Sequence, residues 1–160
     1  MSQNPRFIVR AAGSFKQKPG CSNESIDSLS AKRLDYLCAG ECYNPSNQRE
    51  VIEKIEVIKI TPQVYAGEAI SPLIQDPWKS IPCQGKGECI VEFEDQDFSR
   101  DSVYYVRAIQ SPTPAINGSP LSQRDNFELC KGSFRTDLED DCLSMTNERA
   151  WSSPIYIDKP

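Results

Sequence analysis

No histidine occurs anywhere in the 160 residues, so the chain lacks the side chain most used for proton transfer near neutral pH and the commonest metal ligand. Ser152 and Ser153 therefore have no histidine base, and no GxSxG elbow surrounds them. No CxxC pair occurs, which removes a thioredoxin-like motif. Gly85-Lys86-Gly87 lacks the GxxxxGK[ST] arrangement that cradles phosphates and reads as a turn. No apolar run approaches the roughly 20 residues needed to cross a bilayer, and Met1 to Gly20 lack the apolar stretch of a secretory signal. Positive charge is also short: 18 Lys and Arg against 23 Asp and Glu give a net charge of -5. With no basic stripe, the surface repels a phosphate backbone, so nucleic acid is not an expected partner.

Seven cysteines are present, at Cys21, Cys38, Cys42, Cys83, Cys89, Cys130 and Cys142. That density belongs to oxidising compartments. It conflicts with the missing signal unless Met1 begins part of a longer exported protein, periplasmic or secreted. Twelve prolines and eight glycines indicate many turns and few long helices, and 160 residues suffice for one domain with a buried core.

Arg6 to Ala11 is a short apolar run bounded by Pro5 and Gly13, a strand expected to pair with a late one. Ser22 to Ser30 reads as a polar turn. In Ala31 to Cys38, the placement of Leu34, Leu37 and Cys38 at i, i+3, i+4 predicts the one short helix, with Ser30 as N-cap and Gly40 as stop. Lys54 to Ile60 is the clearest strand, but its apolar set changes phase. It is either buried on both faces or bulged near Val57. A long link through Asp76-Pro77-Trp78 leads to a strand around Ile90 to Glu94. The aromatic, β-branched run Val103 to Ile109 follows. Pro112, Pro114 and the Asn117-Gly118 turn break the chain again. Gln123 to Asn147 reads as an acidic loop, and Arg149 to Asp158 as strand. The expected fold is mostly β, a two-sheet sandwich-like domain over residues 1–160 with long disulfide-bearing loops and one short helix.

Cys83 and Cys89 flank a glycine-bearing loop before a strand, so a local disulfide is expected there. Cys130 and Cys142 bracket another loop and form a second candidate pair, while Cys21, Cys38 and Cys42 compete for one bridge. A zinc site built on Cys38 and Cys42 is the competing reading, weakened by loose spacing and the lack of histidine. The acidic runs Glu92 to Asp97 and Asp137 to Asp141 lack the spaced EF-hand pattern and read as solvated surface. Trp78, Tyr104, Tyr105 and Trp151 could stack on a sugar, but aromatics in strands more often fill a core. Arg107, within an aromatic strand, either makes a charge pair on the sheet surface or grips an anion or a neighbouring domain.

Ordered blocks through nearly the whole chain carry a resemblance. They include Asn4 to Phe7, Lys16 to Cys21, Gly40 to Ser46, Ile55 to Ile60, Tyr104 to Gln110, Pro112 to Gly118, Asp140 to Leu143 and Arg149 to Ile155. Together they resemble the carboxy-terminal region of the bacterial domain-of-unknown-function family numbered thirty-six-oh-four. The resemblance implies a relation to the polymerase-and-histidinol-phosphatase superfamily, whose catalytic barrel binds divalent metal and hydrolyses phosphoesters or related bonds. Those ligands would belong to an upstream barrel. For this chain alone the resemblance implies no catalytic, cofactor-binding or metal-binding residue and an accessory β domain packed on that barrel, with Arg107, Trp151, Pro114 and Asn117 as candidate contacts. Where relatives often carry a cysteine soon after the Asn-Gly turn, this chain has Ser122-Gln123, which leaves the pairing of Cys130 open. The alternative is an independent secreted binding module, in which Trp78 and Tyr65 line a groove for carbohydrate or peptide.

Overall fold

Strict alternation along Arg6–Ala12 makes the first strand, β1: Phe7, Val9 and Ala11 turn inward while Arg6, Ile8 and Arg10 stay exposed. The computed structural model of the chain describes residues 4–38, 42–116 and 143–159. After β1 come β2 (Phe15–Pro19), helices α1 (Asn23–Ser28) and α2 (Ala31–Cys38), β3 (Tyr43–Arg49) and β4 (Ile52–Ile60). A single 3₁₀ turn at Ser71–Leu73 precedes β5 (Ile74–Pro82), β6 (Glu88–Glu94) and β7 (Ser102–Gln110). The short strands β8 (Thr113–Ile116), β9 (Leu143–Thr146), β10 (Arg149–Trp151) and β11 (Ile155–Ile157) complete the order. The fold is mostly β and sandwich-like, as the strand pattern predicts. Its elements fall into two units: Met1–Gly13, Glu50–Ser111 and Asn147–Pro160 form the larger, and Ser14–Arg49 with Pro112–Thr146 the smaller.

The larger unit is a sandwich of unequal sheets. One sheet runs β10-β7-β4-β5 with β11 also on β7, and the other is the antiparallel pair β1-β6. The distant strand that pairs with the first is β6, where Arg6 lies opposite Glu94 and inward Phe7 opposite Phe93. Between the sheets lie Ile52, Ile55, Cys89 and Val91, with Val9, Ala11, Ile81, Val106 and Ala108 packed around them. Phe7 stacks on Phe93, tilts against Tyr104, and leaves Trp78 to meet Phe93 edge-on.

Central position explains the phase change in β4. Flanked by β5 and β7, its residues Val57, Ile58 and Lys59 are all buried. The irregularity near Val57 lies in the neighbour: Val57 faces Lys79 but Lys59 faces Gln75, so β5 carries the two extra residues, in the Asp76–Trp78 stretch. Pro77 and Pro82 hide β5 from a sequence reading, yet an edge strand tolerates proline. Gly13 ends β1 where its amide donates to the Gly87 carbonyl at 2.8 Å. A Cβ at Gly13 would collide with the Glu50 carbonyl, so only glycine fits.

The smaller unit contains the antiparallel pairs β2-β3 and β8-β9 and both helices. The predicted helix forms over Ala31–Cys38, and the Arg33 amide donates to Ser30 Oγ at 3.3 Å. Ser22 to Ser30, read as a turn, instead holds α1, capped by the Ser22 hydroxyl, which accepts from the Ser25 amide at 3.3 Å. β8 and β9 also form where a break and a loop are expected. Gly40, the Asn117-Gly118 turn, and Cys130, Cys142 and Asp137 to Asp141 lie outside the described residues.

Candidate functional site

Two polar networks sit on opposite faces of the five-stranded sheet, and strand parity decides which residues join which. On the inner face, Ile55, Val57 and Lys59 of β4 stand opposite Ala108, Val106 and Tyr104 of β7. Lys59 thus points toward the core, where its ammonium donates to Asp95 Oδ2 at 2.5 Å. The Tyr104 hydroxyl donates to the same oxygen at 2.5 Å, and the Asp97 amide donates to Oδ1 at 3.1 Å. The rings of Trp78 and Tyr104 lie 5.3 and 5.9 Å from the ammonium. Asp95 and Tyr104 are 0% and 1% exposed, so both carboxylate oxygens are satisfied without water.

Burial alone would raise the Asp95 carboxyl. Hydrogen bonds from Lys59 and Tyr104, and the Lys59 charge, outweigh it and hold the group below the ordinary carboxylate range. Burial, with Asp95 alongside, pushes the Tyr104 phenol well above its ordinary range. Sealed from solvent, the cluster ties β4 and β7 to the segment that leaves β6. Its chemistry is cohesion.

The outer face carries Glu56 opposite Arg107. Arg107 Nε donates to Glu56 Oε2 at 3.1 Å, and the guanidinium also grips Asp76 through both terminal nitrogens. Lys54 reaches Glu56 from the other side at 2.7 Å. The hydrogen bond from Lys54, with the charges of Lys54 and Arg107, lowers the Glu56 carboxyl despite some burial. Burial works against the Arg107 charge, but Asp76 and Glu56 prevail and raise it. Of the two roles considered for Arg107, the charge pair on the sheet surface is present.

Register puts Trp151 opposite Arg107 and Tyr156 opposite Val103. Trp151, Arg107, Tyr105 and Tyr156 therefore share this face. Trp151 and Tyr156 are 60% and 73% exposed. Trp78 and Tyr104 turn into the core instead, so the four aromatics weighed as a sugar platform do not assemble. Tyr65 stays exposed in the loop after β4. Ser152, considered as a nucleophile, stitches the interrupted edge: its amide donates to the Val106 carbonyl and its hydroxyl accepts from the Val106 amide, both at 3.1 Å. Pro114 lies in β8, in the other unit from Arg107 and Trp151, and Asn117 is outside the described residues.

The cysteines resolve in part. Cys83–Cys89 forms as expected, and of the three competing thiols Cys21 pairs with Cys42. That pairing removes Cys42 from a zinc site with Cys38. Among the described residues no three His, Cys, Asp or Glu side chains gather as metal ligands, and no helix is long and apolar enough to cross a membrane. Disulfides of this kind belong to an oxidising environment.

The buried Lys59–Asp95–Tyr104 cluster was missed in the sequence. Half of it was legible, since Lys59 shares parity with Ile55 and Val57. Asp95 follows a strand by one residue, and nothing in its neighbours names its partner. Comparison with curated proteins and with solved structures finds no match. A family match does cover residues 79–159, from within β5 through β11, and so includes Asp95, Tyr104, Arg107 and Trp151. The chain belongs to the family described as Protein of unknown function (DUF3604).

Proposed function

We propose that this chain is a non-catalytic accessory β domain of a metal-dependent hydrolase related to the polymerase-and-histidinol-phosphatase superfamily. It packs against the catalytic barrel of the same polypeptide, in the periplasm or outside the cell. The observation that carries the reading is the outer sheet face, where Trp151 and Tyr156 stand exposed beside Arg107. A large aromatic surface next to a fixed guanidinium is the composition of an interface centre. The reactive groups and the divalent metal belong to the barrel in this reading. This chain supplies a rigid wall, held from behind by the buried cluster.

The test is the size of the protein as its natural host makes it. An antibody raised on this chain should detect a polypeptide far larger than 18.0 kDa that contains a histidine-bearing barrel and loses metal-dependent hydrolysis when Trp151 is replaced by Glu. A free polypeptide of 18.0 kDa overturns the reading.

A further inference from the structure

Sheet edges expose unpaired backbone groups, and folded proteins blunt them with proline, bulges or charged side chains; a disulfide beside an edge ties it as well. Three of the edges in the larger unit are treated in this way. β5 carries Pro77, Pro82 and a bulge, and the β10/β11 edge is broken around Pro154. Beside β6, Cys89 is bonded to Cys83, just past the end of β5. β1 has neither proline nor bulge, and of the usual devices it carries only the outward charges of Arg6 and Arg10. Its seven residues keep unbroken register with β6, contain neither proline nor glycine, and have among the described residues no strand on the other side.

Burial agrees. Inward Phe7, Val9 and Ala11 of β1 are only half-buried, whereas on the partner strand inward Cys89 and Val91 are buried and only Phe93 is half-buried. Along this edge runs a groove of about 250 Å³, lined by Phe7, Val9, Phe93, Tyr104, Val106 and Ile155 among others. Ile155 is 49% exposed there. On the other face of β1, the side chains an incoming strand would meet are Arg6 and Arg10 with Ile8 between them.

We infer that β1 is an acceptor edge for an extended segment of a partner polypeptide, bound by strand addition, with apolar side chains alternating inward and acidic ones outward. Backbone pairing fixes the strand conformation, the groove selects the apolar positions, and Arg6 and Arg10 select the acid. The molecule already contains much of the pattern. β6, which satisfies the other side of β1, reads Glu88, Ile90, Glu92 and Glu94 outward and Cys89, Val91 and Phe93 inward, with Glu94 opposite Arg6 and Ile90 opposite Arg10. The groove reaches Tyr105 and Ser152, next to Trp151, but the pairing edge is that of β1, so loss of backbone pairing tests this assignment independently of the Trp151 face.

The experiment titrates the isotopically labelled full chain with an end-blocked peptide alternating glutamate with valine and phenylalanine, following amide chemical shifts. Saturable binding is expected, with shifts concentrated in β1 and around Ile155. N-methylation of alternate peptide amides on the pairing edge should abolish binding. The Arg6→Gln/Arg10→Gln variant should bind about tenfold more weakly, the order expected for two cross-strand charge pairs, and should no longer prefer glutamate to glutamine peptides. Ile155→Lys, at an exposed position, should weaken binding while leaving the fold intact. Four outcomes each overturn the inference: no saturation at millimolar peptide, equal binding of the N-methylated peptide, shifts away from β1, or a chain already dimeric through β1 in light scattering and amide exchange.

Discussion

The larger unit is held by what it buries and the smaller by what it bonds. Ile55, Val57, Ile58, Tyr104 and Asp95 are at most 1% exposed in the first, whereas no described residue of the second is buried. In the smaller unit, cohesion comes from ladder pairing, capped helices and the Cys21–Cys42 bond. Beside that bond the Gly20 amide donates to the Cys42 carbonyl at 2.8 Å and the Asn44 amide group to the Gly20 carbonyl at 2.6 Å. A small unit without enough apolar area to bury relies on such staples. The units should therefore fail under different insults.

The largest effect is expected from the buried cluster. Asp95→Ala leaves the Lys59 ammonium buried and unpaired, a loss of about 3–5 kcal/mol in chemical denaturation. Replacing both partners, as in Lys59→Met with Asp95→Leu, should recover most of it, because the desolvation penalty goes with the charges. The pH dependence follows from the lowered Asp95 carboxyl. A carboxylate depressed in the folded state contributes stability that is complete above its unfolded value of about 3.9 and is lost as pH falls through the folded value. Stability should hold down to about pH 4 and decline below, and the double variant should lose that acid limb. An unchanged acid limb would remove Asp95 as its source.

Next comes the staple. Closing the chain between Cys21 and Cys42, 21 residues apart, restricts the unfolded state by about 3 kcal/mol, against about 2 for the six-residue separation of Cys83 and Cys89. Mild reductant should therefore open Cys21–Cys42 first, since both its cysteines are half-buried while Cys89 is buried. Hydrogen exchange should show β2 and β3 losing protection while β4 and β7 keep theirs. Simultaneous loss in both units would break the comparison.

The same contrast explains what the sequence made legible. Burial imposes a period, so β1, β4, β6 and β7 could be read from alternating or continuous apolar runs. β2 (Phe-Lys-Gln-Lys-Pro) and β3 (Tyr-Asn-Pro-Ser-Asn-Gln-Arg) bury no described residue, so no period marks them, and proline in each argues against strand. α2 was visible because Leu34 and Leu37 fall on one side behind Ser30. α1 has Ile26 as its single large apolar residue. For the outer face, Arg107 and Trp151 were legible as residues, but their facing register depends on β10 folding back onto β7, and Glu56 and Asp76 as partners of Arg107 do so on β4 and β5.

A smaller effect separates one member of the buried cluster from the rest. Tyr104→Phe removes one hydrogen bond to a charged oxygen that keeps Lys59 and the Asp97 amide, so the expected loss is about 1.5–3 kcal/mol, below that of Asp95→Ala. Equality of the two would mean that Tyr104, more than Lys59, neutralises the cost of burying Asp95.

The smallest expected effect is on the outer face. Arg107 makes more ion pairs than Lys59, yet its side chain is 20% exposed and that of Asp76 39%. Water and salt therefore screen what the buried cluster keeps. Arg107→Ala should cost no more than about 1 kcal/mol, and Trp151→Ala, at an exposed edge position, about 0.5. Neither should move the thermal midpoint of the isolated chain by more than a few degrees. If Arg107→Ala proved as damaging as Asp95→Ala, the guanidinium would be part of what holds the sheet together. A residue spent on cohesion is a poor anchor for a partner, and the proposed docking face would shrink to Trp151 and Tyr156. A near-neutral result leaves a preorganised cation beside an exposed indole whose upkeep the fold does not require, which is the condition expected of residues kept for contact with something else.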